Sequence, residues 1–323
     1  MMTNNMDRNK KYTKMAVITF LRPILLFSSS ARYVIPLAIV TILSMVLFSN
    51  PVLYAHTFSE NENALFLTLI DKIKAETQLI ELDFLNNIQQ AHQHAESAVA
   101  LLTQNDPMVN ITWASEISER NPRVVADLLH SLSDLKTTIA AASPNSTYSL
   151  VQSKVTNIGN LLDEAVSARI SKDLLDNPKT QALVLANLGN EIYTHYGSAL
   201  GLSSNTITSK GGMSMGANKG SSKNMNTSSS GPAVMNQNNL PIKNVTSYET
   251  AQSLASIAQQ VFSKDLKPIS PANATGSTAN IEKYINQLKN AVDNKTSFMN
   301  VMKLVHVKLH PTMIAAYNLT LGP

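Results

Sequence analysis

Seven histidines and thirteen methionines are the chain's candidate soft and borderline metal donors, in 323 residues without a single cysteine. The missing cysteine excludes disulfides, thiolate metal sites and cysteine nucleophiles. At about 100° per helical residue, Met299, Met302, His306, His310 and Met313 fall within an arc of about 80°. Thioethers and imidazoles together suit Cu(I), so this stripe reads as a soft-ligand face. The competing reading is a helix seam in which methionine fills irregular gaps, and Pro311 disturbs its last turn. His56 is a second candidate. Cleavage after Ala55 would make it the mature N-terminus, where amine and imidazole chelate Cu(II), with His92 or His94 completing the site if the chain folds back. Met213, Met215, Met225 and Met235 are spaced like loose Cu(I)-capturing motifs, and copper is the cofactor all three features would share.

Other patterns are weaker. His92 and His94 lie about 200° apart on a helix and cannot chelate one ion together. Asp127 and His130 share a helix face but sit off the apolar seam, as a surface pair does. The sequence lacks Glu-x-x-His, the di-iron bundle signature, and His-Glu-x-x-His, the common zinc-peptidase pattern. Gly212 to Gly216 matches Gly-x-Ser-x-Gly around Ser214, but in a Gly/Ser/Asn-rich stretch rather than between strand and helix, so it reads as an accident of composition. Clustered carboxylates and acid/base pairs are not evident, so no catalytic residues are assigned and a non-enzymatic protein is expected.

The elements that would position these donors are helices. Phe66, Ile70, Ile73, Thr77, Ile80, Phe84, Ile88, Ala91, Ala95, Ala98 and Leu102 step by threes and fours, predicting one helix from 59 to about 104 as the longest element. Stripes follow at Val125 to Ile139, Val151 to Ala165 and Leu185 to Tyr196, then over 247–265 and 278–310. Asp106-Pro107, Asn121-Pro122, Ser143-Pro144 and Asn177-Pro178 repeat one device: a capping side chain, then proline where the helix needs no N–H. Long period-two alternation is absent. The expected fold class is therefore all-α: an antiparallel helical bundle over 56–202, a flexible Gly/Ser/Asn/Met linker over 203–243, and a C-terminal helical pair over 244–323 that packs back on the bundle.

A leader precedes all this. Residues 34–48 are a nearly unbroken apolar run behind a basic segment, 1–33, with a cleavage site expected after Ala55. Uncleaved, residues 34–54 are about long enough to span a bilayer and make the membrane a partner. The basic flank keeps the N-terminus inside, so residues 56–323 are expected outside, at the cell membrane or beyond it. Six of the 26 Lys/Arg and one of the 22 Asp/Glu lie in the first 55 residues, so the remainder is near neutral and carries no electrostatic footprint for nucleic acid. Seven Asn-x-Ser/Thr sites, at Asn110, Asn145, Asn226, Asn244, Asn273, Asn294 and Asn318, are no more than about what this composition gives by chance.

The segments AHTFSENENALFLTLIDKIKAETQLIELDF, WASEISERNPRVVADLL and VHVKLHPTMIAAYNL resemble exported helical proteins of ammonia-oxidising archaea. The resemblance implies an archaeal cell-surface setting in a copper-dependent lifestyle; no activity and no functional residues come with it. The expectation is an envelope protein that binds or scaffolds, with an envelope partner or a second copy of itself. The alternative is an extracytoplasmic copper-binding or copper-buffering protein.

Overall fold

The computed structural model describes residues 60–104, 112–141, 144–203, 207 and 241–319, all within the compact unit that begins at Ala55. The leader, His56 and the linker methionines lie outside the described residues. The fold is all-α, with no strand among the described residues. The helices are α1 (Glu60–Asp83), α2 (Ile88–Thr103), α3 (Trp113–Arg120), α4 (Pro122–Ala140), α5 (Pro144–Arg169), α6 (Lys172–Leu175), α7 (Pro178–Ala199), α8 (Val245–Gln260), α9 (Thr275–Asp293), α10 (Phe298–Met302) and α11 (His310–Tyr317). Among the described residues no helix is long and apolar enough to cross a membrane.

The single helix expected over 59–104 is two helices. After Asp83 the chain turns through Phe84–Asn87, and the Asn87 side chain accepts from Gln90 N–H to start α2. The apolar stripe runs through this turn because both arms of the hairpin bury the same face, so periodicity alone does not register the break. Among the described residues the longest helix is α5, at 26 residues. Asn121 and Asn177 cap α4 and α7 through Val124 N–H and Lys179 N–H, each with proline at the first turn. Asp106-Pro107 lies outside the described residues; α3 is capped by Thr112, whose hydroxyl accepts from Ser115 N–H. The C-terminal stripe over 278–310 is also interrupted. Between α9 and α10, Lys295 adopts φ +51°, a left-handed residue at a helix C-terminus. Over 244–323 the described residues thus form four α-helices, α8 to α11, rather than a pair.

Two segments widen into π turns, Val261–Leu266 after α8 and Lys303–Leu309 before α11. Each ends just ahead of a proline, Pro268 and Pro311. Proline lacks the N–H that would bond to the carbonyl four residues back, and its ring crowds that carbonyl; a wider turn relieves both.

Two core clusters result. One joins α1 to α5 through Phe66, Phe84, Trp113, Ile117, Leu128 and Leu135. The other is centred on α7, whose buried residues run on nearly all sides, and takes in α8 to α11. Helix α1 serves both: Phe66 and Ile73 face the first, Ala64 and Ala75 the second. The segment after the linker therefore packs on α7 and α1. Tyr196 and Tyr248 fix the end of α9, donating to the carbonyls of Thr296 (2.5 Å) and Val292 (3.1 Å).

Candidate metal centre

The α1–α2 hairpin brings residues symmetric about its turn face to face. Glu76 and Asp83 lie on the buried stripe of α1, at three- and four-residue steps with Ile73 and Ile80. His94 lies on the matching stripe of α2, between Ala91 and Ala98. Helix α8 crosses this hairpin and adds Glu249 and Thr250.

The His94 imidazole is fully buried. Its Nδ1 sits 2.6 Å from Glu76 Oε2, and Glu76 Oε1 accepts from the Thr250 hydroxyl at 3.0 Å. Its Nε2 points between two carboxylates, Glu249 Oε2 at 3.4 Å and Asp83 Oδ2 at 3.5 Å. Those separations are long for N–H···O hydrogen bonds. They are close to the edge of a coordination tetrahedron, about 3.3–3.4 Å when the metal bonds are about 2.0–2.1 Å. One donor atom from each of Asp83, His94 and Glu249 lies within 4.8 Å of the others. Asp83 Oδ2 is buried and accepts no hydrogen bond.

Electrostatics point the same way. Burial, and then the charge of Glu249, push the Asp83 carboxyl up to about 6, against the opposing pull of His94. Burial also works against a charged His94, but the hydrogen bond and charge of Glu76, aided by Glu249 and Asp83, raise its pKa overall. The apoprotein thus holds excess negative charge around one imidazole in a poorly solvated place. A divalent ion between Nε2 and the two carboxylates would relieve it. Glu76 is then the outer carboxylate that fixes the tautomer, leaving Nε2 free to ligate. The donor set, one imidazole and two carboxylates, suits Zn²⁺, Mn²⁺ or Fe²⁺ rather than Cu(I).

Asp83 and Glu249 also line a pocket of about 450 Å³, together with Leu79, Leu82, Gln252 and Lys289.

The histidines of the C-terminal stripe lie elsewhere. His306 and His310 meet edge to face with ring centroids 5.2 Å apart, and Tyr193 of α7 stacks edge-on against His306 at 4.8 Å. His310 is buried, and its Nε2 lies 3.1 Å from the Ala186 carbonyl. Burial, with His306 beside it, drives its pKa down to about 4. His306 Nε2 is buried and makes no hydrogen bond. Met302 and Met313 are core residues, and Met299 packs half-buried against the same core. The π turn over Lys303–Leu309 separates Met299 and Met302 from His310 and Met313, so the uniform 100° register does not hold along the stripe. His92 is partly exposed and lies 3.9 Å from Glu96, apart from the buried ring of its neighbour His94.

Comparison with protein-family models, with curated proteins and with solved structures finds no match to this chain.

Proposed function

We propose that this is a non-enzymatic metal-binding protein of the cell envelope, holding one divalent ion between Asp83, His94 and Glu249. The carrying observation is the aim of His94: Nδ1 engaged by Glu76, and Nε2 directed between two carboxylates at metal-ligand spacing. The envelope setting rests on the leader, with its basic flank and apolar run. Binding is favoured over catalysis because Asp293, the remaining carboxylate in the pocket, is occupied by Lys289 and Gln252 and offers no free base to an ion-bound water.

Calorimetric titration of the metal-free full chain with Zn²⁺ and Mn²⁺ tests this. One equivalent should bind, and His94→Ala should weaken binding by more than about a hundredfold, the upper end of the loss expected for an outer residue. Indifference of binding to His94→Ala would overturn the assignment.

One observation favours a second reading, a Cu(I) site at His306 and His310: their rings are in contact, and His306 Nε2 is buried without a hydrogen bond. Met302 and Met313 are the thioethers nearest in sequence, with Met299 three residues before Met302, and His56 remains the candidate at the expected cleavage site. Cu(I) competition with a chromophoric chelator tests this reading. A His306→Ala/His310→Ala protein should lose the tight Cu(I) site while keeping Zn²⁺ binding; full Cu(I) retention would refute it.

A further inference from the structure

We infer that the cavity walled by α1, α5, α7 and the π turn after α8 binds a small alkylammonium ion, its head on the Asp71 carboxylate and its hydrocarbon body against Ile70, Val184 and Val261. The cavity shares no residue with the pocket at Asp83 and Glu249. Asp71 lies about 18 Å along α1 from Asp83, so the inference stands apart from the metal reading.

Charge decides the sign of the ligand. Four aspartates and two lysines line the cavity. Asp163 is bonded to Lys74 at 2.8 Å, and Asp176 to Lys172, which is outside the lining, at 2.5 Å. That leaves Asp71 and Asp265 against Lys264, an excess of one negative charge, which a monovalent cation cancels. Asp163, Asp176 and Asp265 are exposed, at the rim. Asp71 is the inner acid. It is half-buried because it lines the cavity, yet its carboxyl is almost wholly surrounded by protein. Among the described residues that carboxyl has no hydrogen bond and no ion pair. Lys74 acts on it only through space, and Lys264 acts on Asp265. An enclosed carboxylate without a donor is satisfied by a cation that brings its own N–H groups.

Chemistry and size narrow the class. Among the described residues only Asp83, His94 and Glu249 converge as three acid or histidine ligands, so Asp71 and Asp265 offer a metal ion too few oxygens. At about 310 Å³ the cavity is far larger than a bare ion and in the range of small-molecule sites. Ile70, Val184 and Val261 are buried in its wall, and Leu67 and Val166 are half-buried there. Such walls favour a hydrocarbon body behind the charged head.

Ligand-observed NMR on the full chain at pH 8 tests this, with n-butylammonium as the probe. It should bind saturably, and at least about tenfold more tightly than methylammonium, which lacks the body. Tetramethylammonium has as many carbons but no N–H, and should also bind at least about tenfold more weakly. Asp71→Asn should cost at least about tenfold with the helical circular dichroism unchanged, whereas Asp176→Asn at the rim should stay within about twofold. Lys74→Met removes a competing positive charge and should tighten binding. Affinity should rise about tenfold from pH 6 to pH 8, because burial holds the Asp71 carboxyl up to about 7 and the ion must displace its proton. If Asp71→Asn does not fold, Lys74→Met and the pH series decide. Absence of saturable binding, equal binding of either smaller or N–H-free cation, equal losses in Asp71→Asn and Asp176→Asn, weaker binding in Lys74→Met, or an affinity flat with pH would overturn the inference.

Discussion

Glu76 and His94 stand 18 residues apart in sequence and 2.6 Å apart in space, a buried carboxylate–imidazole pair made by the fold-back of α1 on α2. Glu76 is in turn held by Thr250 from α8, so a residue beyond the linker helps orient a ring before it. In the metal-binding account Glu76 is a positioning residue: it touches no ion but decides which nitrogen of His94 is free to ligate.

Glu76→Gln should therefore weaken Zn²⁺ binding by about ten- to a hundredfold without abolishing it, since removal of an outer carboxylate costs about that much. The comparison with His94→Ala in the same calorimetric titration separates the roles. Equal losses in both variants would argue that Glu76 ligates the ion itself.

The pH dependence has a definite sign. Asp83 is raised to about 6 and His94 is also raised above its ordinary value. A raised pKa gives stability that is present at low pH and lost as pH climbs through the folded-state value. The apoprotein should lose stability from these two groups between about pH 4 and somewhat above 6.5, the ordinary histidine value. Zn²⁺ must displace the same protons, so its stabilisation should grow over that range. Thermal unfolding at pH 5, 6, 7 and 8, with and without Zn²⁺, checks this; a Zn²⁺-induced gain in Tm that shrinks as pH rises would contradict it.

Away from the metal centre, Arg169 and Glu116 form a buried ion pair at 2.7 Å, with the Arg169 guanidinium 4.3 Å from the centre of the Phe66 ring and 5.5 Å from that of Trp113. Arg169→Met strands a carboxylate in the core and should cost about 3–5 kcal/mol. Combining it with Glu116→Leu should recover much of that loss, because an apolar pair of similar volume has no charge to desolvate. Chemical denaturation of the single and double variants decides; a double variant no more stable than Arg169→Met would contradict the predicted recovery.

Two helical glycines should respond in opposite directions. A Cβ on Gly197 would lie 2.8 Å from Ile207 and 2.9 Å from Phe298, the latter fully buried, whereas one on Gly159 meets nothing within 4 Å. Gly197→Ala should destabilise by about 1–3 kcal/mol through overpacking. Gly159→Ala should stabilise by up to about 1 kcal/mol through helix propensity. Paired melting curves measure both, and a neutral Gly197→Ala would show that Ile207 yields freely.

The all-α class was legible because the stripes are long and because Asn121-Pro122 and Asn177-Pro178 mark starts by chemistry that acts locally. The break at Phe84–Asn87 was not, since Asn87 caps without a proline and the buried stripe continues through the turn. That miss hid the candidate metal centre: on one straight helix Asp83 and His94 are far apart, and only the fold-back joins them. A signal was present nonetheless. Glu76, Asp83 and His94 occupy core-facing positions among Ile73, Ile80, Ala91 and Ala98, where an acid or imidazole needs a partner. Glu249 carried no such mark, because its place depends on how α8 crosses the hairpin. On the C-terminal stripe the sequence brought out His306 and His310, which do touch, but could not anticipate the π turn that interrupts their register with Met299 and Met302.

The most direct measurement is anomalous diffraction from crystals of the full chain grown with Zn²⁺, recorded on both sides of the zinc edge. The account predicts one strong peak about 2.0–2.1 Å from His94 Nε2 and about 2.0–2.2 Å from an oxygen of Asp83 and of Glu249, with Glu76 still on Nδ1. A peak between His306 and His310, or none within bonding distance of His94, would contradict it.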